Sequence, residues 1–233
     1  MKTRIAKFIA DSGITSRRGA EQMISDGRVS VNGEIIKTPV HFVEDSDEIK
    51  IDGKRIEARS DTRVYAFHKP INTMTTTRDP NGRKTIYDVL PREYHNLRYV
   101  GRLDYKTTGL LLMTNDGLLA RRLTQPTSNV PRVYIADVIG TNMSRLDRAR
   151  SGTTVDGIKY RPMKIDVMPD KRLRITITEG KKNEIRIVLK NCGLPVRTLH
   201  RIMYGPVSIK NIPVGKIVEL DEKTIDGLIK SSL

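Results

Sequence analysis

The first 59 residues place apolar side chains at two different spacings. One run at helical spacing extends from Ile5 to a stop at Gly13, and a second follows Ser16, a good helix N-cap, and stops at Gly27. Short apolar segments come next, around two dipeptides that favour tight turns, Asn32-Gly33 and Asp52-Gly53. The pattern predicts two short helices and two β-hairpins.

After residue 63 the pattern mixes strand-like and helix-like segments. The segment 64–69 is a predicted strand that Pro70 ends, and 99–114 predicts a strand, an exposed loop and a very apolar strand. Further strands are predicted at 132–140, 159–168, 173–180, 196–203 and 216–220, and helices at 116–123, 143–149, 183–191 and 224–230. Because the two kinds of segment do not alternate strictly, an α+β fold with a mixed, largely antiparallel sheet is favoured over a doubly wound one.

A polar stretch at 57–63 separates the two patterns. It contains a single apolar residue, Ala58, and is the best candidate for a linker. We therefore predict a small N-terminal α/β module over residues 1–59 and a larger domain over residues 60–233.

The net charge of the chain indicates what kind of partner it binds. The chain has 42 Lys and Arg against 27 Asp and Glu, a formal net charge of +15. Such an excess favours a polyanion, most often nucleic acid, although a basic surface that only keeps the protein soluble is the simpler alternative. Residues 1–59 contribute a net charge of only +1 and residues 60–233 contribute +14. The excess is therefore not a basic tail on a neutral domain.

Several classes of site have no signature in the sequence. The single cysteine, Cys192, excludes an intramolecular disulfide and a multi-cysteine zinc site. The four histidines are far apart in the sequence, without the spacing of metal ligands. The two Gly-rich nucleotide-binding motifs, G-x-x-x-x-G-K-[ST] and G-x-G-x-x-G, do not occur. No apolar run is long enough for a membrane span, and the N-terminus does not resemble a secretory signal. We expect a cytoplasmic protein with no metal, no nucleotide cofactor and no membrane contact.

The segment GRLDYKTTGLLLMTNDG, residues 101–117, is the strongest candidate for chemistry. It places Asp104 between a polar loop and a very apolar strand, with Arg102 and Lys106 on either side. Neighbouring cations favour the ionised carboxylate, which can then act as a nucleophile or a base. From spacing alone, an Asp that only caps a turn is the favoured interpretation, and a catalytic Asp is the alternative.

This segment resembles the catalytic motif of the RsuA/RluB-type ribosomal RNA pseudouridine synthases. The resemblance extends over nearly the whole chain, through FHKPINTMTTTRDPNGRKTIYDVLP, PRVYIADV and EGKKNEIRIVLKNCGLPVRTLHRIMYGPVSI, in family order. Residues 1–59, with TSRRGAEQMISDGRVSVNG at their centre, resemble the RNA-binding domain named after ribosomal small-subunit protein four. The resemblance implies the pseudouridine synthase fold for residues 60–233 and conversion of a uridine in RNA to pseudouridine, without a cofactor.

The resemblance also implies roles for individual residues. The family's catalytic aspartate corresponds to Asp104, its active-site tyrosine to Tyr134 and the basic partner of the aspartate to Arg186. Ile185 would form an apolar wall beside the base, and Arg102 would contact a phosphate or fill the gap left by a flipped nucleotide. In the N-terminal module, the candidate RNA contacts are Lys7, Arg17, Arg18 and Arg28.

Glu184 is a departure from the family pattern, which usually has Gln at this position. A carboxylate two residues before Arg186 could compete with Asp104 for the guanidinium. Because side chains two apart on a helix point in different directions, we expect Glu184 to face away from Arg186.

The expected substrate is ribosomal RNA, bound by a monomer as a folded precursor or assembly intermediate. PRVY and GKKNEIR are more similar to large-subunit members of the family than to the small-subunit member. Two alternatives stay open: a synthase that acts on small-subunit or transfer RNA, and a non-enzymatic RNA-binding factor in ribosome assembly.

Overall fold

A computed structural model describes residues 2–44, 46–57, 61–140 and 142–232. The chain divides into two compact units. The first contains residues 1–63, 93–98 and 115–117, and the second contains 64–92, 99–114 and 118–233. The centre of the predicted linker, residues 58–60, and with it the predicted boundary between residues 59 and 60, lies outside the described residues.

The first unit has the predicted order of two helices and two hairpins. Its elements are β1 (Thr3–Arg4), α1 (Ile5–Asp11), α2 (Arg17–Ser25), β2 (Val29–Val31), β3 (Glu34–Ile35), β4 (Phe42–Val43), β5 (Ile49–Ile51) and β6 (Lys54–Ile56). The sheet order is β3-β2-β5-β6, and β1 pairs separately with β4. One apolar cluster, which includes Ile5, Ile9, Ile24 and Val29, packs both helices on this sheet.

The start of α2 shows how the local sequence sets this unit. The Ser16 hydroxyl accepts a hydrogen bond of 3.1 Å from the Gly19 N–H, as the predicted N-cap requires. A Cβ at Gly19 would meet the Thr15 hydroxyl, so that side chain would have to move. The cap therefore fixes where the exposed side chains of Arg17 and Arg18 begin the helix.

The remaining elements lie in the second unit, except that Glu93, Tyr94, Arg98 and Gly117 belong to the first. The strands are β7 (Val64–Lys69), β8 (Arg98–Val100), β9 (Thr107–Thr114), β10 (Arg132–Val138), β11 (Thr153–Val155), β12 (Ile158–Tyr160), β13 (Lys164–Val167), β14 (Leu173–Ile177), β15 (Val196–Tyr204), β16 (Val207–Ser208) and β17 (Ile217–Glu219). The helices are α3 (Gly117–Thr124), α4 (Leu146–Ser151), α5 (Glu184–Asn191) and α6 (Glu222–Lys230), with 3₁₀ turns at Ile86–Asp88, Arg92–Tyr94 and Met143–Arg145.

The main sheet has the strand order β13-β14-β10-β15-β9-β7-β17. Its described pairs are antiparallel except for β9 with β15, which run parallel. The predicted mixed, largely antiparallel sheet is therefore confirmed. Gly109 lies opposite Arg201 in the parallel pair, and a Cβ there would collide with the Arg201 carbonyl oxygen. Its φ of +108° is also a conformation that L side chains rarely adopt.

The prediction of one strand over 159–168 is wrong. In the structure this segment is interrupted after Tyr160. The chain reverses before it, at Asp156-Gly157, so that β12 pairs with β11 and not with the main sheet. Only β13, which follows Pro162, joins the main sheet beside β14. The Asp-Gly dipeptide carried the hairpin signal, since both residues adopt a positive φ.

Candidate active site

The sheet order brings together residues that are far apart in the sequence. Tyr134 lies on β10 opposite Arg201 on β15, and the other edge of β15 pairs with the start of β9, where Leu199 lies opposite Thr107. The loop before β9 carries Asp104. Consequently, the neighbours β10, β15 and β9 place the tyrosine and the aspartate beside one cavity.

This cavity has a volume of about 230 Å³, enough for a single nucleotide base. Asp104 and Tyr134 line it together with Ile185 from α5 and with the segment Gly180–Asn183. Asp104 is half-buried, and within the described residues no hydrogen bond or ion pair occupies its carboxylate. Its oxygens are therefore available to a substrate. We call this space the Asp104 pocket.

The loop that carries Asp104 is fixed from below by a buried lysine. Lys69, at the end of β7, is fully buried, and its ammonium donates to the carbonyls of Pro70 at 3.0 Å, Asp104 at 3.3 Å and Thr107 at 2.8 Å. Burial lowers the pKa of Lys69 to about 8, although the Asp104 carboxylate opposes this shift. The lysine thus ties both ends of the loop to the adjacent strand.

Arg186 lies beside the same loop rather than in the Asp104 pocket. Its guanidinium donates at 3.0 Å to the carbonyl of Val196 and at 3.0 Å to the carbonyl of Lys106. Both Arg186 and Asp104 line another cavity of about 470 Å³. Burial lowers the pKa of Arg186 and the charge of Asp104 raises it, but no ion pair within 4 Å joins the two in the described structure. Arg186 therefore holds the loop that carries Asp104 through the Lys106 carbonyl and lines a cavity together with Asp104.

Arg201 is a buried side chain next to Tyr134 that the sequence analysis did not identify. It is almost fully buried, donates at 2.6 Å to the Leu110 carbonyl and reaches the Tyr134 hydroxyl at 3.4 Å. Its guanidinium carbon lies 5.9 Å from the Tyr134 ring centre and 5.2 Å from that of Tyr204. It also lines a second cavity of about 230 Å³ that shares Tyr134 and Arg102 with the Asp104 pocket. No local pattern distinguishes Arg201 from the other basic residues around it.

Two buried carboxyl groups lie near the Asp104 pocket: Glu184 lines it, and Glu179 lines the second cavity next to it. Glu179 follows β14 and Glu184 begins α5, and both are less than a tenth exposed. As expected, no hydrogen bond or ion pair joins Glu184 to Arg186 in the described residues. Instead, Glu184 lines the Asp104 pocket and accepts a hydrogen bond of 3.0 Å from the Lys181 N–H.

The four candidate RNA contacts of the first unit differ in their surroundings. Lys7 forms an ion pair of 2.7 Å with Asp11, and Arg28 forms two hydrogen bonds with Asp52. The hydrogen bonds and charge of Asp52 raise the pKa of Arg28. Arg17 and Arg18, in contrast, are exposed and form no ion pair in the described structure. Of the four, these two arginines are the most available to a phosphate.

Other kinds of site find little support in the structure. Within the described residues, no three His, Cys, Asp or Glu side chains gather as they would around a metal ion. The same part of the chain has no helix that is long and apolar enough to cross a bilayer. The buried thiol of Cys192 is free, and burial raises its pKa.

Comparison with known families agrees with this geometry. A family model described as RNA pseudouridylate synthase matches residues 63–191, which include Asp104, Tyr134 and Arg186. A second model, described as the S4 domain, matches residues 3–49.

Similar proteins and one solved structure cover most of the chain. An uncharacterized RNA pseudouridine synthase of Rickettsia conorii is 36% identical over 96% of this chain and 99% of its own length. The ribosomal large subunit pseudouridine synthase B of Xanthomonas campestris is 34% identical over 98% of this chain and 49% of its own length. A crystal structure of a pseudouridylate synthase has a TM-score of 0.70 at 26% identity, and the match covers 97% of this chain and 99% of that one.

Proposed function

This chain belongs to the RNA pseudouridylate synthase family, and from that premise we propose that it modifies a specific uridine of large-subunit ribosomal RNA with Asp104 as the catalytic group. The observation that carries the proposal is the Asp104 pocket. It combines a carboxylate that has no partner among the described residues with an aromatic ring and an apolar side chain, in a cavity large enough for one base.

Asp104 is proposed to start the reaction at the sugar of the bound uridine. The carboxylate either attacks the sugar or begins an elimination, and in both routes the bond between nitrogen and sugar breaks. The uracil then turns in the pocket and its carbon five bonds to the sugar. No atom is gained or lost overall, so the isomerisation needs a rigid site more than a further reagent.

Tyr134 and Ile185 are proposed to hold the detached uracil during this turn. Both are largely buried and line the pocket, so each offers a fixed apolar surface to the base. Arg102 is exposed and lines all three cavities around the loop. It is well placed to bind a phosphate next to the extruded nucleotide, or to fill the space that the nucleotide leaves in the RNA.

Arg186 is proposed to orient the Asp104 carboxylate. Its positive charge faces the same cavity as Asp104, and its bond to the Lys106 carbonyl holds the loop two residues beyond Asp104. A lysine would supply the charge without the planar fork that reaches two carbonyls at once.

The partner RNA is recognised by charge in both units. The S4 domain is an RNA-binding domain, and the net charge of +14 over residues 60–233 gives the catalytic part its own attraction for phosphate. We propose that the chain acts as a cytoplasmic monomer on a folded precursor or assembly intermediate of ribosomal RNA. The printed name of the Xanthomonas campestris relative supports the large subunit as the target.

The reaction is tested by release of tritium from ribosomal RNA labelled at carbon five of uridine. We expect Asp104→Asn to lower kcat by about a thousandfold or more, while RNA affinity stays within about threefold. The matched control is Asp147→Asn, because Asp147 lies exposed on α4 far from the pocket lining. Full activity in Asp104→Asn would disprove the proposed role of Asp104.

The target is tested by mapping pseudouridines across total RNA from cells with and without the gene. Loss of one site in large-subunit ribosomal RNA is the expected result. Loss of a site in small-subunit or transfer RNA would instead select the alternative substrate class.

A further inference from the structure

The segment Gly180–Asn183 forms one wall of the Asp104 pocket, and a carboxyl group stands at each end of it. Glu179 precedes the segment and Glu184 follows it, and their side chains are 8% and 3% exposed. Two acids so deeply buried and so close together cannot both be ionised without a large penalty. The stability of this arrangement therefore depends on which of the two carboxyl groups is protonated.

The hydrogen-bond partners identify Glu179 as the ionised member. Its carboxylate accepts from the Arg161 N–H at 2.5 Å and from the Lys181 ammonium at 2.7 Å. Burial is the largest single influence and opposes ionisation, but these two donors, the hydrogen bond from Glu184 and the charge of Lys181 together outweigh it, so the pKa of Glu179 lies below its usual range. The Lys181 ammonium also donates to the Lys159 carbonyl and lies 5.4 Å from the Tyr160 ring centre, so it already has partners other than Glu184.

Glu184 lacks any such cation. One carboxyl oxygen accepts from the Lys181 N–H, and no donor within the described residues reaches the other oxygen. The Glu179 carboxylate lies within hydrogen-bonding reach, so a proton on Glu184 completes the pair by donating to Glu179. Burial, together with the hydrogen bond and charge of Glu179, raises the pKa of Glu184 to about 8.

We propose that protonated Glu184 is a positioning residue, which holds the segment Gly180–Asn183 in place as a wall of the Asp104 pocket and loosens it on ionisation. The proposal rests on the proposed function, because the wall matters only if the pocket receives a uridine. Ionisation would bring two buried negative charges together at the ends of a four-residue segment. It would also add a negative charge beside Asp104, which lines the same pocket.

The remaining groups around Glu184 do not replace its proton. Besides Glu179 and Lys181, the charged and titratable side chains around it include those that line the pocket, the ring beside Lys181 and two arginines next to Gly180 and Glu179: Arg102, Asp104, Tyr134, Tyr160, Lys182, Arg132 and Arg161. None of them is within ion-pair or hydrogen-bonding distance of the Glu184 carboxyl group in the described structure. Activity should therefore fall as pH rises through about 8.

The test compares pH profiles of kcat for the wild type and Glu184→Gln, each relative to its own value at pH 7. Gln has the same shape and a permanent N–H donor for Glu179. Between pH 7 and pH 9, we expect the wild type to lose about tenfold relative to Glu184→Gln, as one titrating group near pH 8 requires. Effects of high pH on the RNA itself cancel in this ratio. Parallel profiles would overturn the proposal.

Two further variants test whether the effect depends on the hydrogen bond that Glu184 donates and whether it is specific to this carboxyl group. Glu184→Ala removes the donor and should have a lowered kcat at every pH, with no additional fall near pH 8. Glu222→Gln changes an exposed carboxyl group at the start of α6 and should follow the wild-type profile. A Glu222→Gln profile like that of Glu184→Gln would count against the assignment to Glu184.

Unfolding by urea at several pH values tests the proton without any RNA. Because the pKa of Glu184 is higher in the folded chain than in the unfolded chain, the native protein retains a proton that unfolding releases. Stability of the wild type should therefore fall from about pH 4.5 to about pH 8 relative to Glu184→Gln. Equal pH dependence would overturn the proton assignment, whereas inactivity of the wild type at every pH would overturn only the proposed function.

Discussion

Arg201 shows how a buried charge is held without a carboxylate partner. Such burial is costly unless the charged group is hydrogen-bonded. Arg201 donates to the Leu110 carbonyl and lies near the faces of Tyr134 and Tyr204. A second arginine, Arg132, lies 5.0 Å from the Tyr204 ring centre on the neighbouring strand. Within the described residues, rings and carbonyls thus take the place of acids beside Tyr134, and no arginine from this group pairs with Asp104.

Replacing Arg201 with lysine tests this arrangement at the residue scale. Lysine keeps the charge but loses the planar group that contacts two rings and the Leu110 carbonyl, so we expect a loss of about 2–3 kcal/mol in the free energy of unfolding. Urea unfolding measures the change. Arg197→Lys, on the same strand but exposed, should change stability by less than about 0.5 kcal/mol. Similar losses in both variants would contradict the role of Arg201.

At the scale of elements, Gly109 permits the parallel contact between β9 and β15. Any side chain would collide with the Arg201 backbone and would also strain the positive φ. We expect Gly109→Ala to lower the free energy of unfolding by about 3 kcal/mol or more. Gly227→Ala, within α6, has no such collision and should raise stability by about 0.5–1 kcal/mol. If Gly109→Ala unfolds at the same urea concentration as the wild type, glycine is not required at this position.

Lys69 links β7 to the loop before β9, and Lys69→Met tests that link. The variant fills the space but leaves three carbonyls without their donor, so the Asp104 loop loses its fixed position. We expect kcat to fall by about tenfold or more, as measured by tritium release from uridine-labelled RNA. Lys210→Met, at an exposed position, should behave like the wild type.

Lys69→Met also has a signature in the pH dependence of stability. Because the folded pKa of about 8 is lower than that of an unfolded lysine, the unfolded chain binds the proton more tightly above pH 8. Wild-type stability should therefore rise between about pH 8 and pH 10 relative to Lys69→Met. An identical pH dependence would show that the ammonium is not buried as described.

Local signals account for the elements that the sequence predicted well. The Ser16 cap and the Asn32-Gly33 turn involve residues a few positions apart, so their patterns are visible in the sequence. The parallel pairing of β9 with β15 joins Thr107 to Leu199, and no local pattern specifies it. The same holds for the site: Asp104 was recognisable from its motif, whereas the role of Lys69 depends on three-dimensional contacts with a loop that follows much later.

At the scale of the whole molecule, we expect the positive charges of both units together to determine RNA affinity. The logarithm of Kd should rise steeply and linearly with the logarithm of salt concentration, because phosphate contacts release counterions. Replacing Arg17 and Arg18 together by alanine should weaken binding by about tenfold and reduce the salt slope by about 1–2, while kcat at saturating RNA is unchanged. Filter binding at several salt concentrations measures both quantities. Lys54→Ala with Arg55→Ala, on β6, removes the same charge and should have the smaller effect.

The position of β15 between β10 and β9 has a consequence for the timing of folding. As the chain leaves the ribosome, β9 and β10 emerge first, yet they become neighbours only after β15 has been synthesised and inserted between them. Pairing between segments so distant in sequence is slow, since a long loop must close before the contacts form. We therefore expect the Asp104 pocket to be complete only after the last third of the chain has folded, and a chain that ends before β15 to be inactive.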